Sequence, residues 1–292
     1  MKSREITKSF RIADGSHFRM KDYSPRETLG LKSKQQAHEI LQRGIKRLSE
    51  LQEKLYAHDR WAILLILQAM DAAGKDSTIK HVMSGVNPQG CNVISFKSPS
   101  AEDLDHDFLW RTERFLPTRG MIGIFNRSYY EEVLVIRVHP EMLARENVPS
   151  QLITNKIWQE RFEDINAFER HLARNGTKIV KIFLNLSKDE QRKRFLERLD
   201  EPEKNWKYSA NDILERKHWE NYMLAYEDMI RNTSTQSAPW YVIPADHKWF
   251  ARLAVAEVMI HAMDSLDLSF PEMDAAKRQE IKNARATLKR KS

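Results

Sequence analysis

The chain has 292 residues, of which 41% are hydrophobic and 30% are charged, a composition typical of a soluble protein. No apolar run approaches the ~18 residues of a membrane span, and the charged N-terminus lacks a signal peptide's apolar segment. The single cysteine, Cys91, excludes an internal disulfide. We therefore expect a cytoplasmic protein without membrane association. The formal net charge of +7 favours polyanionic partners, namely nucleic acid, anionic lipid or an oligophosphate.

Five short apolar runs along the chain are predicted to be strands. Most are continuous rather than alternating, as expected for strands that are covered on both faces. Segments with helical spacing lie between them, and strands that alternate with helices predict a parallel sheet with helices on both faces. The predicted strands are Trp61–Gln68, Asn92–Phe96, Met121–Phe125, Lys178–Leu186 and Trp240–Ile243.

The chain contains no strong linker, repeat or low-complexity tract. We therefore predict one domain over residues 1–292, with a helical N-terminal extension over 1–58 and a basic C-terminal tail over 270–292. The tail could be a solvated helix without a role in any site. Ligands of parallel sheets bind at the carboxyl ends of the strands, so functional residues are expected in the loops that follow the five strands.

The first predicted strand leads into a tight turn and a helix-like segment, the arrangement of a phosphate-binding loop. The match is partial, because Ala69 stands where the pattern has Gly and Asp76 stands where it has Ser or Thr. Lys75 would place a point charge on a phosphate at the start of a helix. Asp71 would repel an anion, and this predicts that it holds Mg²⁺. The alternative is that Asp71 or Asp76 only caps a buried helix.

The third predicted strand ends in a second polar cluster, beginning with Asn126 and Arg127. Nucleotide-handling folds commonly place an acidic residue at this strand end to help hold the metal. Asn126 could bind a cation only weakly, whereas Arg127 could clamp a transferring phosphoryl group. The alternative for Arg127 is a surface ion pair with Glu131, four residues further along a helix.

A basic arm follows the fourth predicted strand. Arg194 and Arg198 lie one helical turn apart on the same face, and a polar loop leads to a second helix from about Asp212. A helix–loop–helix that carries cations over a phosphate site is typical of a closing lid, which we predict over residues 188–212. A solvated basic helix is the alternative, and surface charge is the alternative for the basic group around Arg111.

Together these segments resemble the polyphosphate kinase 2 family, over nearly the whole chain. The resemblance implies an α/β P-loop kinase fold close to thymidylate kinase, with three layers, a five-stranded parallel sheet and a helical lid. The segments that carry the resemblance are Met70–Thr78, His106–Arg111, Phe125–Glu131, Arg194–Phe195 with Asn205–Lys207, and Ala238–Trp240 with Asp246–Lys248.

The resemblance also implies an activity, the transfer of a phosphoryl group between inorganic polyphosphate and a nucleotide with Mg²⁺, for which Mn²⁺ could substitute. The sequence from Asn126 to Glu131 resembles the subgroup that acts on both purine nucleoside monophosphates and diphosphates. Many family members have Asp at the position of Asn126, so this chain has one charge fewer near the metal.

Site residues are assigned on the same resemblance. Asp71 would bind the metal, Lys75 would hold the transferring phosphates and Arg127 would stabilise the moving phosphoryl group. The expected phosphate-binding residues are Ala72, Ala73, Gly74, Lys75, Asp76, Ser77, Lys80, Arg111, Arg194, Arg198 and Lys207. The expected nucleotide-binding residues are Asn126, Arg127, Tyr130, Glu131, Glu132 and Arg137.

Three other functions remain open from the sequence. An ATP-dependent nucleoside monophosphate kinase would share the fold and the loop. A basic P-loop protein that binds nucleic acid would use the same net charge, although we expect no nucleic-acid partner. A non-catalytic oligophosphate binder would not need Asp71. We also expect a homo-oligomer, a dimer or a tetramer.

Overall fold

The computed structural model describes residues 3–289 of the chain. The first two residues of the predicted extension and the last three of the predicted basic tail lie outside this range. Within it, none of the helices combines the length and the apolar character needed to cross a membrane.

The strands described in residues 3–289 form one sheet in the order β1-β6-β5-β2-β4-β3. Strands β2 to β6 are mutually parallel, and β1 pairs antiparallel with β6 at one edge. The strands are β1 (Arg11–Ile12), β2 (Ala62–Gln68), β3 (Cys91–Ser95), β4 (Ile122–Asn126), β5 (Thr177–Asn185) and β6 (Trp240–Pro244).

The five parallel strands are the predicted ones, and each end lies within one residue of its predicted position. The expectation of five strands is corrected by β1, which adds a sixth. This strand has two residues, Arg11 and Ile12, too few for any apolar pattern to reveal it.

The α-helices vary from single turns to a 25-residue helix before the first parallel strand. They are α1 (Ser3–Phe10), α2 (Lys34–His58), α3 (Lys75–Val82), α4 (Ala101–Leu104), α5 (Trp110–Glu113), α6 (Val135–Val138), α7 (Ile157–Arg174), α8 (Lys188–Asp200), α9 (Ala210–Glu215), α10 (Trp219–Thr233), α11 (Lys248–Asp264) and α12 (Ala275–Lys289).

Helices cover both faces of the sheet, as a continuous apolar strand requires. In β2, Ile63 and Leu65 point into a core formed with α1, α2 and α11, whereas Leu64 and Ile66 point into a second core formed with α7 and α10. The fold is therefore the predicted three-layer α/β arrangement. Its central strands bring the loops after β2 and β4 together at one edge of the sheet.

The two predicted terminal segments contain different structures. Residues 3–58 include α1, β1 and α2, so the extension is not helical throughout. It is part of the main core, since Ile6 and Leu48 are buried beside α11 residues. By contrast, every residue of α12 is exposed.

Candidate active site

A tight loop connects the end of β2 to the start of α3. Ala72 and Gly74 both have left-handed backbone conformations, with φ of +62° and +102°. Such a conformation is ordinary for glycine but costs a residue with a Cβ about 1 kcal/mol or more. The loop leads directly into the first turn of α3, whose N–H groups have no partners within the helix. This is the geometry of an anion-binding turn.

Lys75 begins α3 and lies inside the loop. Its ammonium group donates a hydrogen bond to the carbonyl oxygen of Ala69 at 2.8 Å. Burial lowers the pKa of Lys75, and the nearby positive charge of Arg127 lowers it further. An anion beside this ammonium group would reverse both effects, because it favours the charged form.

Arg127 follows the last residue of β4 and has a φ of +66°. One guanidinium nitrogen donates to a carboxylate oxygen of Asp71 at 2.9 Å, and another reaches Glu131 at 3.5 Å. The Glu131 carboxylate raises the pKa of Arg127 above its ordinary value, and Asp71 raises it further, although burial acts in the opposite direction. The structure therefore contains the local pair with Glu131 and also a contact with the phosphate loop.

Asn126 lies at the carboxyl end of β4. Its amide nitrogen donates to Asp76 at 2.6 Å and to the Ser95 hydroxyl at 3.4 Å. Its buried amide oxygen accepts no hydrogen bond from any residue in 3–289. A buried oxygen without a donor, beside carboxylates, suits a hard cation.

The described residues contain no cluster of three or more His, Cys, Asp or Glu side chains that could hold a metal ion. Mg²⁺ does not need such a cluster, because it usually binds one or two carboxylates together with substrate phosphates and water. Asp71, Asp76 and Asn126 offer oxygen ligands of this kind. The residues present therefore fit Mg²⁺ bound together with a phosphate.

The phosphate loop, Asn126 and Arg127 line a cavity of about 360 Å³, which we call the catalytic cavity. Among residues 3–289, eight Lys or Arg side chains and three Asp or Glu side chains line it. The excess of five positive charges suits a polyanion. The predicted residues in its lining are Asp71, Ala72, Ala73, Gly74, Lys75, Asp76, Ser77, Asn126, Arg127, Arg194, Arg198 and Lys207.

Three cations in this lining were not assigned to the site from the sequence. Lys204 lies in the proposed lid, and Lys248 and Arg252 lie on the first turns of α11. Arg252 donates to the Ser77 hydroxyl at 2.8 Å. For Lys248 and Arg252 a signal was present in the sequence. They are four residues apart at the start of a helix that follows a parallel strand, which places both on one helix face beside the site.

Arg194 is close to the phosphate loop, but its contacts differ from those expected. Its guanidinium donates to the carbonyl oxygens of Ala72 and Ala73 in the loop, and to those of Ala245 and Asp246 after β6. Its remaining N–H donates to Glu190 at 2.9 Å. Within the described chain these bonds use all five donors of an arginine. Arg194 therefore joins α8 to two loops beside the catalytic cavity, and its expected phosphate contact stays a prediction.

The other two predicted lid cations lie at the cavity with weaker restraints. Arg198 pairs with Asp212 at 3.2 Å, which links the end of α8 to α9. Lys207 lies over the ring of Trp206, at 5.0 Å from its centroid, and this ring is 78% exposed. Lys207 can therefore turn towards an anion in the cavity at little cost, whereas Arg198 would leave the mostly buried carboxylate of Asp212 unpaired.

A second cavity, of about 380 Å³, lies on the other side of the Asp71–Arg127 pair. Both residues of the pair line it as well as the catalytic cavity. Glu131 contributes from the loop after β4, and Tyr222 and Tyr226 contribute from α10. We call this the adjoining cavity.

Three expected nucleotide-binding residues line neither the catalytic cavity nor the adjoining cavity. Tyr130 is fully buried, where its hydroxyl bonds Glu169 at 2.7 Å and Lys181 at 2.9 Å. Arg137 pairs with Asp228 on α10. Glu132 is buried, and burial raises its pKa to about 8. These assignments are corrected, because each side chain has partners away from both cavities.

Arg111 and Lys80, expected to bind phosphate, also lie outside the catalytic cavity. Arg111 is buried, donates to the carbonyl oxygen of Lys97 at 2.9 Å and lies 3.9 Å from Glu132. Lys80 lies in a cleft beside α2 that shares only Arg252 with the catalytic cavity among the described residues. The structure therefore corrects both placements, since neither side chain meets the phosphate loop.

Comparison with known proteins identifies the family to which this chain belongs. The sequence profile of the family described as Polyphosphate kinase 2 (PPK2) matches residues 31–271. The chain belongs to the polyphosphate kinase 2 family. The predicted family and its kinase-type enzyme class are thus confirmed.

Two relatives of this polyphosphate kinase 2 chain match nearly its whole length. It is 54% identical over 283 residues to the ADP-polyphosphate phosphotransferase of Rhodopseudomonas palustris, an alignment that covers 97% of this chain and 98% of the relative. It is 43% identical over 270 residues to the AMP/ADP-polyphosphate phosphotransferase of Meiothermus ruber, covering 92% and 97%.

A solved structure supports the fold of this polyphosphate kinase 2 independently. The crystal structure of Polyphosphate Kinase 2 from Arthrobacter aurescens TC1 superposes with a TM-score of 0.86 at 41% identity, covering 95% of this chain and 96% of that one. The predicted P-loop kinase fold is therefore confirmed.

Proposed function

We propose that this chain transfers a phosphoryl group from inorganic polyphosphate to AMP or ADP, in a reversible reaction that depends on Mg²⁺. The relatives described above support the two adenine acceptors, because they are an ADP-polyphosphate phosphotransferase and an AMP/ADP-polyphosphate phosphotransferase. We extend the proposal to GMP and GDP. The homo-oligomer and the cytoplasmic location stay predictions from the sequence.

The shared wall between the two cavities carries this proposal. Asp71 and Arg127 border both the catalytic cavity and the adjoining cavity. A polyphosphate chain in the catalytic cavity and a nucleotide in the adjoining cavity would meet at these two side chains. Transfer between two bound anions requires this kind of meeting point.

The chemistry needs positioning and charge neutralisation more than proton transfer. An oxygen of the acceptor's phosphate attacks the terminal phosphorus of the donor, the bond to the bridging oxygen breaks, and the shortened polyphosphate leaves with the negative charge. The acceptor is already an anion, so the transfer needs no strong base. The transition state is loose, and its charge lies on the equatorial oxygens.

Lys75 and Arg127 are placed to stabilise that charge. Lys75 can exchange its bond to the Ala69 carbonyl for one to a donor phosphate. Arg127 can exchange its pair with Asp71 for two parallel bonds to the moving phosphoryl group, which suits its planar fork. This exchange also frees the Asp71 carboxylate.

Asp71, with Asp76 and the amide oxygen of Asn126, would hold Mg²⁺, and Mn²⁺ could substitute because it prefers the same ligands. A cation bound there supplies positive charge that offsets the repulsion between the two substrates. Asp71 carries most of this role in the proposal, because Asn126 has no charge.

An assay with purified full-length protein tests the proposal. Polyphosphate, Mg²⁺ and AMP, ADP, GMP or GDP are supplied without ATP, and the nucleotide products are separated by ion-exchange chromatography. We expect the di- or triphosphate to form with wild type and to fall to background with Lys75→Ala. Lys46→Ala, an exposed lysine on α2, is the matched control.

The competing functions give different results in the same experiments. Product formation that requires ATP would identify a nucleoside monophosphate kinase. Salt-sensitive duplex binding that survives Lys75→Ala would identify a nucleic-acid-binding protein. Polyphosphate binding without turnover would identify a non-catalytic binder.

A further inference from the structure

A second basic cavity lies at the amino end of the sheet, opposite the phosphate loop. Arg11 is the first residue of β1, and Lys178 and Tyr241 are the second residues of β5 and β6. Together with Lys8 and His261 they line a cavity of about 360 Å³. We call it the amino-end cavity.

The sheet itself holds these groups in place. Arg11 pairs with Tyr241 in the register between β1 and β6, so its side chain begins from a fixed strand position. The guanidinium contacts Gln236 twice at 3.4 Å, the long limit of a hydrogen bond, and it also donates to the Tyr241 hydroxyl. Arg11 therefore keeps donors that can turn towards a ligand in the cavity.

No carboxylate among the described residues lines the amino-end cavity. Lys8, Arg11 and Lys178 also take part in none of the ion pairs formed within residues 3–289. Burial lowers the pKa of Lys178, and the positive charge of Arg11 lowers it further. Three cations thus lie together without an acidic partner.

The ends of two helices offset only part of this charge. The C-terminal ends of α1, at Phe10, and of α11, at Asp264, lie beside the cavity. A helix C-terminus is equivalent to about half a negative charge, so two ends neutralise about one of the three cations. A balance of roughly two positive charges remains, and a multivalent anion could neutralise it.

We propose that the amino-end cavity binds a condensed phosphate, and that it is a second oligophosphate site distinct from the catalytic cavity. Its volume equals that of the catalytic cavity, at about 360 Å³, so it has room for several linked phosphate units. Three separate cations suit an anion whose charges are spread along a chain better than a single orthophosphate.

The position of the cavity gives the site a use. Lys178, near the start of β5, lies about 23 Å along the strand from Asn185 at its carboxyl end, at 3.3 Å per residue, so the two cavities open towards opposite ends of this strand. A long polyphosphate could bind both. Its second contact would raise the effective concentration of chain at the catalytic cavity without any new contact there.

Calorimetric titration of the full chain with tripolyphosphate, without Mg²⁺ so that no transfer takes place, tests the proposal. We expect two binding events in wild type, of which Lys75→Ala weakens one. Arg11→Gln/Lys178→Gln should weaken the other about tenfold, because charge-assisted hydrogen bonds are lost. Arg43→Gln/Lys46→Gln removes two exposed charges from α2 and should change neither event.

Several results would overturn the second site. They are a single binding event in wild type, a second event that survives Arg11→Gln/Lys178→Gln, or an equal loss in the α2 control. If the double variant unfolds, Lys8→Gln, at an exposed position on α1, must lower the same affinity. Orthophosphate or ADP binding as tightly as tripolyphosphate would refute the assignment to condensed phosphate.

This test is separate from the proposed function. Failure of the second binding event leaves phosphoryl transfer at the catalytic cavity untouched. Failure of transfer in the chromatographic assay leaves the calorimetric result at the amino-end cavity unaffected, because no turnover is measured there.

Discussion

The two ends of the sheet carry basic cavities of equal volume, about 360 Å³ each, that are built differently. At the carboxyl end, Asp71 and Glu131 lie against Arg127, and Ala72 and Arg127 have left-handed backbones. At the amino end, Arg11 and Lys178 belong to regular strands, and no described carboxylate lines the cavity.

A basic cavity needs more than cations to carry out chemistry. Cations alone attract an anion, and both ends have them. A carboxylate among the cations can hold a metal, and it can keep an arginine oriented until a phosphate replaces it. Strained loops place these groups where regular strands would not. We therefore expect turnover at the carboxyl end and binding alone at the amino end.

Removing the guanidinium of Arg127 should have the largest effect on activity at the carboxyl-end cavity. We expect Arg127→Ala to lower kcat at least about 10³-fold, as for arginines that stabilise transferring phosphoryl groups. Arg127→Lys should recover only part of the rate, because an ammonium group cannot bind two oxygens at once. Single-turnover measurements with ADP and polyphosphate check this. A rise in KM with an unchanged kcat would contradict the proposed role of Arg127 in stabilising the transferring group.

Removing the carboxylate of Asp71 should have the next largest effect. We expect Asp71→Asn to lower kcat by roughly 10²- to 10³-fold. Tripolyphosphate should still bind to this variant, because the cavity has lost a negative charge that would repel it. Glu197→Gln, which changes another acid in the same lining, is the control. Turnover that survives Asp71→Asn, with Mg²⁺ varied, would argue against the metal role.

The contacts of Arg194 lead to a prediction about stability. Arg194→Ala leaves carbonyl oxygens of both loops without donors, so we expect a loss of about 2–4 kcal/mol in the free energy of unfolding. Arg192→Ala, an exposed neighbour on α8, should change it by less than about 0.5 kcal/mol. Urea unfolding measures both. Equal stability of the two variants would contradict the structural role.

A second prediction about stability concerns Glu132, which lies outside both cavities. Its pKa in the folded chain is about 8, above the ordinary 4.5 of the unfolded chain, so the folded state binds the extra proton between these values. Stability should therefore fall as pH rises from about 4.5 to 8, by at most about 1.4 kcal/mol per pH unit. Glu132→Gln should flatten this slope, as thermal unfolding at several pH values can measure. If kcat fell over the same pH range, Glu132 would instead be assigned to the active site.

The sequence predicted the parallel strands well, because each is a continuous apolar run that must be covered on both faces. It also placed Asp71 and Arg127 in loops at the same edge of the sheet, since both follow the carboxyl ends of parallel strands. The register confirms the reason, with Leu67 of β2 beside Asn126 of β4.

The sequence could not predict partners that come from distant backbone. Arg194 binds carbonyl oxygens of residues about 50 and 120 positions away, and a carbonyl leaves no side-chain pattern. Nearness in sequence also misled, because Tyr130 and Glu132 follow Arg127 closely but point into buried networks. Side-chain direction in an irregular segment depends on tertiary packing rather than on local pattern.

The bonds of Arg194 also limit how the proposed lid can open. Arg194 and Gln191, which donates to the Asp71 carbonyl at 3.0 Å, tie the first turns of α8 to the phosphate loop. This half of α8 must move with the loop as one rigid body. A hinge of the proposed lid is therefore expected beyond Arg194, near the end of α8 at Asp200. The segment with Lys204 and Lys207 would then swing aside to exchange one polyphosphate chain for the next, while Glu215 holds the end of α9 through His139 and Tyr222.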